Sequence, residues 1–279
     1  MESSSYYKII LCVLYLGVHQ TWSSPPTWSG LRAGFSFNPF TAFEYLPRTQ
    51  GEMEDAGWVQ DTHVGCDVEG TMFSGNRYML NGDTAIMILL DKNGFIAGIQ
   101  AGIPKTTDYP RKQNEKYHTF LEEVDKWVIT IYFVEPATIC TTGRSQSQFD
   151  SQGTGTLLAI QNGPSSSHLM RIPLRESQVT SQTAFVEGKC FFWMGMHYWY
   201  NLTRDMSCDE VFPVFLLYDE KELVAFGWSF NPNFQDSYRW EHPTPWVFSK
   251  FMKEPPLCLN ETVTTLHVYM TDSPRSIYC

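Results

Sequence analysis

The chain has no C-x-x-C pair, no H-E-x-x-H, no G-x-x-x-x-G-K-[ST] and no G-x-S-x-G. Without the paired-cysteine spacing, neither a zinc ribbon nor a thioredoxin-type redox pair is expected. Without the other three, a zincin helix, a phosphate-cradling loop and a nucleophile elbow have no footing. Gly153 and Gly155 in SQGTGTLL lead toward a strand, so they offer no helix N-terminus to an anion. Positive charge is also scarce, with 20 Lys and Arg against 30 Asp and Glu and a formal net charge of −10. That balance argues against nucleic acid, whose phosphates reward basic residues, and against docking on anionic lipid. No apolar run approaches the ~18 residues a membrane span needs, so no span is expected.

What the sequence does carry begins with a leader. Lys8 precedes the apolar run Ile9 to Val18, and small residues follow at Thr21, Ser23 and Ser24. This order predicts a secretory signal over residues 1–23, cleaved after Ser23, and hence a secreted, extracellular protein. Cys12 leaves with it. Six cysteines remain: Cys66, Cys140, Cys190, Cys208, Cys258 and Cys279. An even set in an oxidising compartment predicts three disulfides, although spacing alone does not fix which cysteines pair. Short loops favour Cys190 with Cys208 and Cys258 with Cys279, each worth about 3 kcal/mol by chain entropy. The sequons Asn201-Leu202-Thr203 and Asn260-Glu261-Thr262 predict N-glycans at Asn201 and Asn260.

Residues 24–57 mix Pro, Gly, Ser and Thr with aromatics and read as an irregular arm laid over a single disulfide-bonded β-domain at 58–279. Within it, Thr84–Leu90 and Phe95–Ile99 flank Asp91-Lys92-Asn93-Gly94, and Asn-Gly is a strong hairpin signal. Trp127–Val134, Thr156–Ile160, Leu169–Leu174 and Val263–Met270 read as strands, and Val211–Tyr218 with Leu223–Phe230 as a second hairpin. Thr119-Phe120-Leu121-Glu122 has capping-box spacing and predicts a short helix. Thr244-Pro245-Trp246 predicts another, running to Lys253. The fold class expected is all-β, an antiparallel sandwich or barrel with one or two short helices and long loops.

The segment GKCFFWMGMHYWYNLT, residues 188–203, packs six aromatic rings and one histidine into Phe191–Tyr200. Read as one strand from Cys190 to Asn201, it puts Phe191, Trp193, Gly195, His197 and Trp199 on one face. Cys190, Met194, Met196, Tyr198 and Tyr200 then share the other face, which suits a core. Gly195 mid-strand marks a bulge or a close approach. In Thr264–Met270 the alternation turns His267 toward Thr265 and Tyr269, away from Leu266, Val268 and Met270. Asp61 and His63 fall on one face of a third segment, in the spacing by which a carboxylate orients an imidazole. The loop histidines His118, His168 and His242 read as locally bonded.

Two arrangements fit this pattern. Either the histidines are scattered, or His63, His197 and His267 converge, as zinc ligands or as an acid–base set with Asp61. Trp193, Trp199 and Tyr269 would line the adjoining pocket. The expected function is a secreted glycoprotein that binds a small apolar or aromatic ligand, or a glycan. The alternatives are a secreted enzyme with histidine or zinc-assisted chemistry on a small molecule, and an extracellular structural or interaction protein.

Overall fold

A computed structural model describes residues 28–38, 40–106, 108–110 and 118–279. The predicted leader at 1–23 lies outside the described residues. The strands are β1 (Arg32–Ala33), β2 (Glu44–Tyr45), β3 (Trp58–Gln60), β4 (Asn76–Leu80), β5 (Met87–Leu90), β6 (Ile96–Pro104), β7 (Leu121–Glu122) and β8 (Lys126–Tyr132). They continue as β9 (Leu158–Gln161), β10 (Leu169–Ile172), β11 (Phe185–Phe191), β12 (Gly195–Tyr200), β13 (Val214–Asp219), β14 (Glu222–Phe230) and β15 (Thr264–Tyr269). The helices are short: α1 (Gln50–Asp55), α2 (Pro136–Ile139), α3 (Gln146–Gln152), α4 (Glu176–Gln182) and α5 (Pro245–Phe251).

The strands form two antiparallel sheets, neither closed into a barrel. One runs β11-β12-β13-β14-β15-β1-β2 and the other β10-β9-β8-β6-β5-β4-β3, with β7 added beside β8. Between the sheets lies the main core. Ile88, Ile99, Ile129 and Ile131 face it from the second sheet, and Leu216, Phe226, Trp228, Leu266 and Val268 from the first. The first sheet is also covered on its outer face, where Trp199, Phe215, Leu217, Ala225 and Tyr269 meet Phe248 and Met252. Burial on both faces explains why β13 and β14 read as nearly continuous apolar runs.

The β5–β6 hairpin forms as expected, but not as a two-residue turn. Gly94 alone of the Asn-Gly pair takes positive φ, at 84°. The carboxylate of Asp91 accepts from the amides of Asn93 and Phe95 and sets the loop. The helix predicted from Thr244 forms as α5 and stops at Phe251.

Four expectations are corrected. Thr119–Glu122 is not helical: Thr119 is buried, and Leu121–Glu122 pairs with β8 against Val128 and Trp127. The described part of the N-terminal arm is less irregular than its composition suggests. It supplies β1 and β2 to the first sheet, carries α1 capped by Thr49, and buries Trp28, Leu31, Leu46 and Met53. The disulfides are Cys66–Cys140, Cys190–Cys279 and Cys208–Cys258, so neither short-loop pairing occurs. Folding brings the last residue back to β11, which sequence proximity does not reveal. Finally, Cys190–Asn201 is not one strand. The chain turns at Phe192–Met194, where Trp193 takes φ of 64°, so β11 and β12 form a hairpin.

The three disulfides point to an oxidising compartment. Among the described residues, no helix is long and apolar enough to cross a membrane.

Candidate functional site: a cavity on the outer face of the first sheet

The outer face of β14 carries only small side chains at its centre, Ala225, Gly227 and Ser229, opposite Leu217, Phe215 and Pro213 on one side and Tyr269, His267 and Thr265 on the other. Gly227 is required by contact rather than by backbone angle. A Cβ there would lie 2.2 Å from the ring of Phe215, which crosses over it. Ser229 lines the cavity directly, and Phe215, lying over Gly227, forms part of its wall. Above it, α5 and the segment Phe35–Phe37 form the roof. The cavity holds about 580 Å³, within the ~300–1,000 Å³ range of small-molecule sites. Aromatic rings dominate its walls, among them Phe35, Phe191, Trp199, Phe215, Phe248 and Phe251.

Two donors from the sheet hold α5 in place. Lys189 Nζ donates to Ser249 O at 2.9 Å and Trp199 Nε1 to Phe251 O at 3.2 Å, satisfying carbonyls that the helix end leaves unpaired. Gly188 permits this approach, because a Cβ there would lie 2.3 Å from Phe251 O. At the mouth, Trp246 and Phe37 are 75% and 68% exposed.

The polar groups in this apolar cavity are specifically placed. Glu241 bridges to Thr265 at the edge of β15 and sends its carboxylate inward. One oxygen accepts from the amides of Phe35 (2.7 Å) and His267 (3.1 Å). The other accepts from the Thr265 hydroxyl (3.0 Å) and pairs with His267 Nδ1 at 2.6 Å. Burial alone would raise this carboxyl's pKa. The charge of His267 and these hydrogen bonds outweigh it and hold the group below its ordinary range. His267 is thereby fixed with its Nδ1 proton on Glu241. Its Nε2 is sealed from solvent and has no hydrogen-bond partner among the described residues.

His197 is 1% exposed and lies beside it, the two rings 6.3 Å apart and nearly perpendicular. The β11–β12 pairing shifts register between Glu187 and Cys190, which frees the carbonyl of Lys189 from the ladder. His197 Nδ1 meets that carbonyl at 3.0 Å and Gly195 O at 3.1 Å. Its ring stacks on Trp199 and Phe215. Burial, then the neighbouring charge of His267, pushes its pKa down to about 3. Tyr269 stacks against His267, and burial with the nearby Glu241 carboxylate raises its phenol well above the ordinary value.

The site thus gathers two of the three histidines singled out in the sequence. His63 is not with them. It is exposed beyond β3 of the other sheet, and its amide caps onto Asp61. Asp61 itself is claimed by the buried guanidinium of Arg77 at 2.7 Å, which Glu123 also pairs. A zinc site at His63, His197 and His267 therefore does not assemble. Among the described residues no group of three or more His, Cys, Asp and Glu side chains is placed to hold a metal. Of the aromatics, Trp199 lines the cavity. Trp193 occupies the β11–β12 turn and Tyr269 lies in the packed layer beneath, so neither does. Sequence reasoning missed Glu241, Phe215, Ser229 and α5's Phe248 and Phe251, and it left His242, which does line the cavity, as a loop residue. The alternation of β14, small at Ala225, Gly227 and Ser229 and large at Phe226, Trp228 and Phe230, is the sequence signal from which this face could be read. Compared with known proteins, the chain matches no family model, no curated protein and no solved structure.

Proposed function

We propose that this is a secreted glycoprotein whose outer-face cavity binds a small, predominantly apolar or aromatic molecule. The observation that carries this reading is the cavity itself: about 580 Å³, walled by aromatic rings, yet holding two imidazoles and a saturated carboxylate at its inner end. A cavity that served packing alone would have no use for such groups, because burying them costs stability unless every polar atom is paired. Native mass spectrometry of the protein from its secreting cells tests it. A retained small molecule, lost in Ser229→Phe, which fills the cavity from a residue that lines it, supports the reading. A protein that emerges empty and binds no apolar probe refutes it.

Secretion and glycosylation belong to the same proposal. Lys8 with the Ile9–Val18 run supports a leader, and Asn201 and Asn260 are both exposed. Expression in cultured cells should release a chain beginning at Ser24. Asn201→Gln and Asn260→Gln should each remove one glycan by mass.

An enzymatic reading rests on Glu241 and His267, since a carboxylate bonded to Nδ1 orients the imidazole as in acyl-transfer triads. Binding is favoured because His267 Nε2 is sealed within the layer rather than presented to a substrate.

A further inference from the structure

The inner end of the cavity specifies more about its ligand than the aromatic walls do. His197 Nδ1 lies between two backbone carbonyls, and a carbonyl only accepts. The ring proton therefore resides on Nδ1, and Nε2 carries a lone pair. Among the described residues that nitrogen has no hydrogen-bond partner, although the ring lines the cavity. With its basicity depressed by burial and by His267, the ring stays neutral at physiological pH and its free nitrogen stays an acceptor. Glu241 cannot substitute for it as an acceptor, since four donors already occupy the carboxylate. Ser229 also lines the cavity, and among the described residues its hydroxyl has no hydrogen-bond partner.

Resting on the reading of this cavity as an apolar ligand site, we infer that the ligand carries a neutral hydroxyl at its buried end, which donates to His197 Nε2. Ser229 is then available to donate to the hydroxyl oxygen. The other ligand classes fit less well. A hydrocarbon leaves the imidazole acceptor dry and unpaired. A carboxylate sets a second negative charge beside Glu241, with Lys250, exposed on α5, as the one Lys or Arg among the described lining residues. An ammonium brings three donors to one neutral acceptor and loses its hydration.

Fluorescence titration with four ring-matched probes decides the matter: 1-pyrenemethanol, its isostere 1-ethylpyrene, 1-pyrenemethylamine and 1-pyrenecarboxylic acid. The alcohol should bind about tenfold tighter than 1-ethylpyrene, and more tightly than the amine or the acid. In His197→Phe the alcohol and 1-ethylpyrene should bind within about twofold of each other. Equal binding of those two to the unaltered protein overturns the hydroxyl inference and leaves the apolar site standing. Preference for the amine or the acid overturns it likewise. If no probe binds, the cavity reading fails and takes the inference with it. Should His197→Phe not fold, the four-probe series on the unaltered protein decides alone.

Discussion

At the scale of single residues, the site is organised by one carboxylate. Glu241 collects hydrogen bonds from two amides, a hydroxyl and an imidazole, and so joins the Phe35 segment, β15 and the His267 ring. Glu241→Gln puts an amide N–H where one oxygen accepted. It should cost about 2–3 kcal/mol, the scale of a hydrogen bond to a charged group, read as a lower urea midpoint. His197 predicts a pH effect. Its pKa is about 3 in the fold against about 6.5 when free. Between those values the unfolded chain takes up a proton that the fold refuses. Stability therefore falls as pH drops from about 6.5 toward 3, by up to ~1.4 kcal/mol per pH unit from this ring. Glu241, held low in the fold, acts in the same direction as it protonates. Urea unfolding at several pH values should show a shallower acid slope for His197→Phe, and an unchanged slope would contradict the burial argument.

At the scale of elements, the cavity depends on β14. Gly227→Ala drives a methyl group into the ring of Phe215, which must swing toward the cavity. Overpacking of this kind should cost about 1–3 kcal/mol and weaken binding of any aromatic probe by titration. The same strands show what can be read from sequence. The β13–β14 hairpin, the β5–β6 hairpin and α5 were legible, because apolar runs, the Asn93-Gly94 pair and Thr244-Pro245 are local signals. The β11–β12 turn was not, because it contains no Gly, Pro or Asn between Phe192 and Met194, and Trp193 adopts a backbone angle unusual for its type. Glu241 was equally hidden. It forms an isolated bridge outside any strand, so no periodicity marks it. Alternation in Thr264–Met270 separates His267 from the core residues Leu266, Val268 and Met270, as the fold does. The face read for His197 assumed an unbroken strand, which the turn at Phe192–Met194 interrupts. The meeting of His197 and His267 needed three intervening strand registers that a sequence does not state.

Across the whole molecule, the two sheets are fastened at distinct places. Cys66–Cys140 lies within the second sheet's half of the chain, while Cys190–Cys279 and Cys208–Cys258 brace the half that contains the cavity. The arm returns to the body through Arg239, whose guanidinium pairs with Glu44 of β2 at 2.6 Å and with Asp83 between β4 and β5 at 2.8 Å. Cys208 and Cys258 are 50 residues apart, so their bond should contribute about 4 kcal/mol by chain entropy. The double variant Cys208→Ser/Cys258→Ser should unfold at correspondingly lower denaturant. Peptide mapping without reduction should recover all three pairs from the unaltered protein. Recovery of a Cys190–Cys208 peptide would contradict the fold.

The sheet that floors the cavity is the same layer that closes the main core, with Leu216, Phe226 and Trp228 on one side and Phe215 and Ala225 on the other. A molecule settling on one side is thus felt by the whole cooperative unit. Occupancy at a hundred times the dissociation constant adds about 2.7 kcal/mol to the native state, so heat denaturation becomes an assay that presupposes no reaction. Chemical collections can then be sorted by how far each compound delays melting, with the physiological ligand expected among those that delay it most.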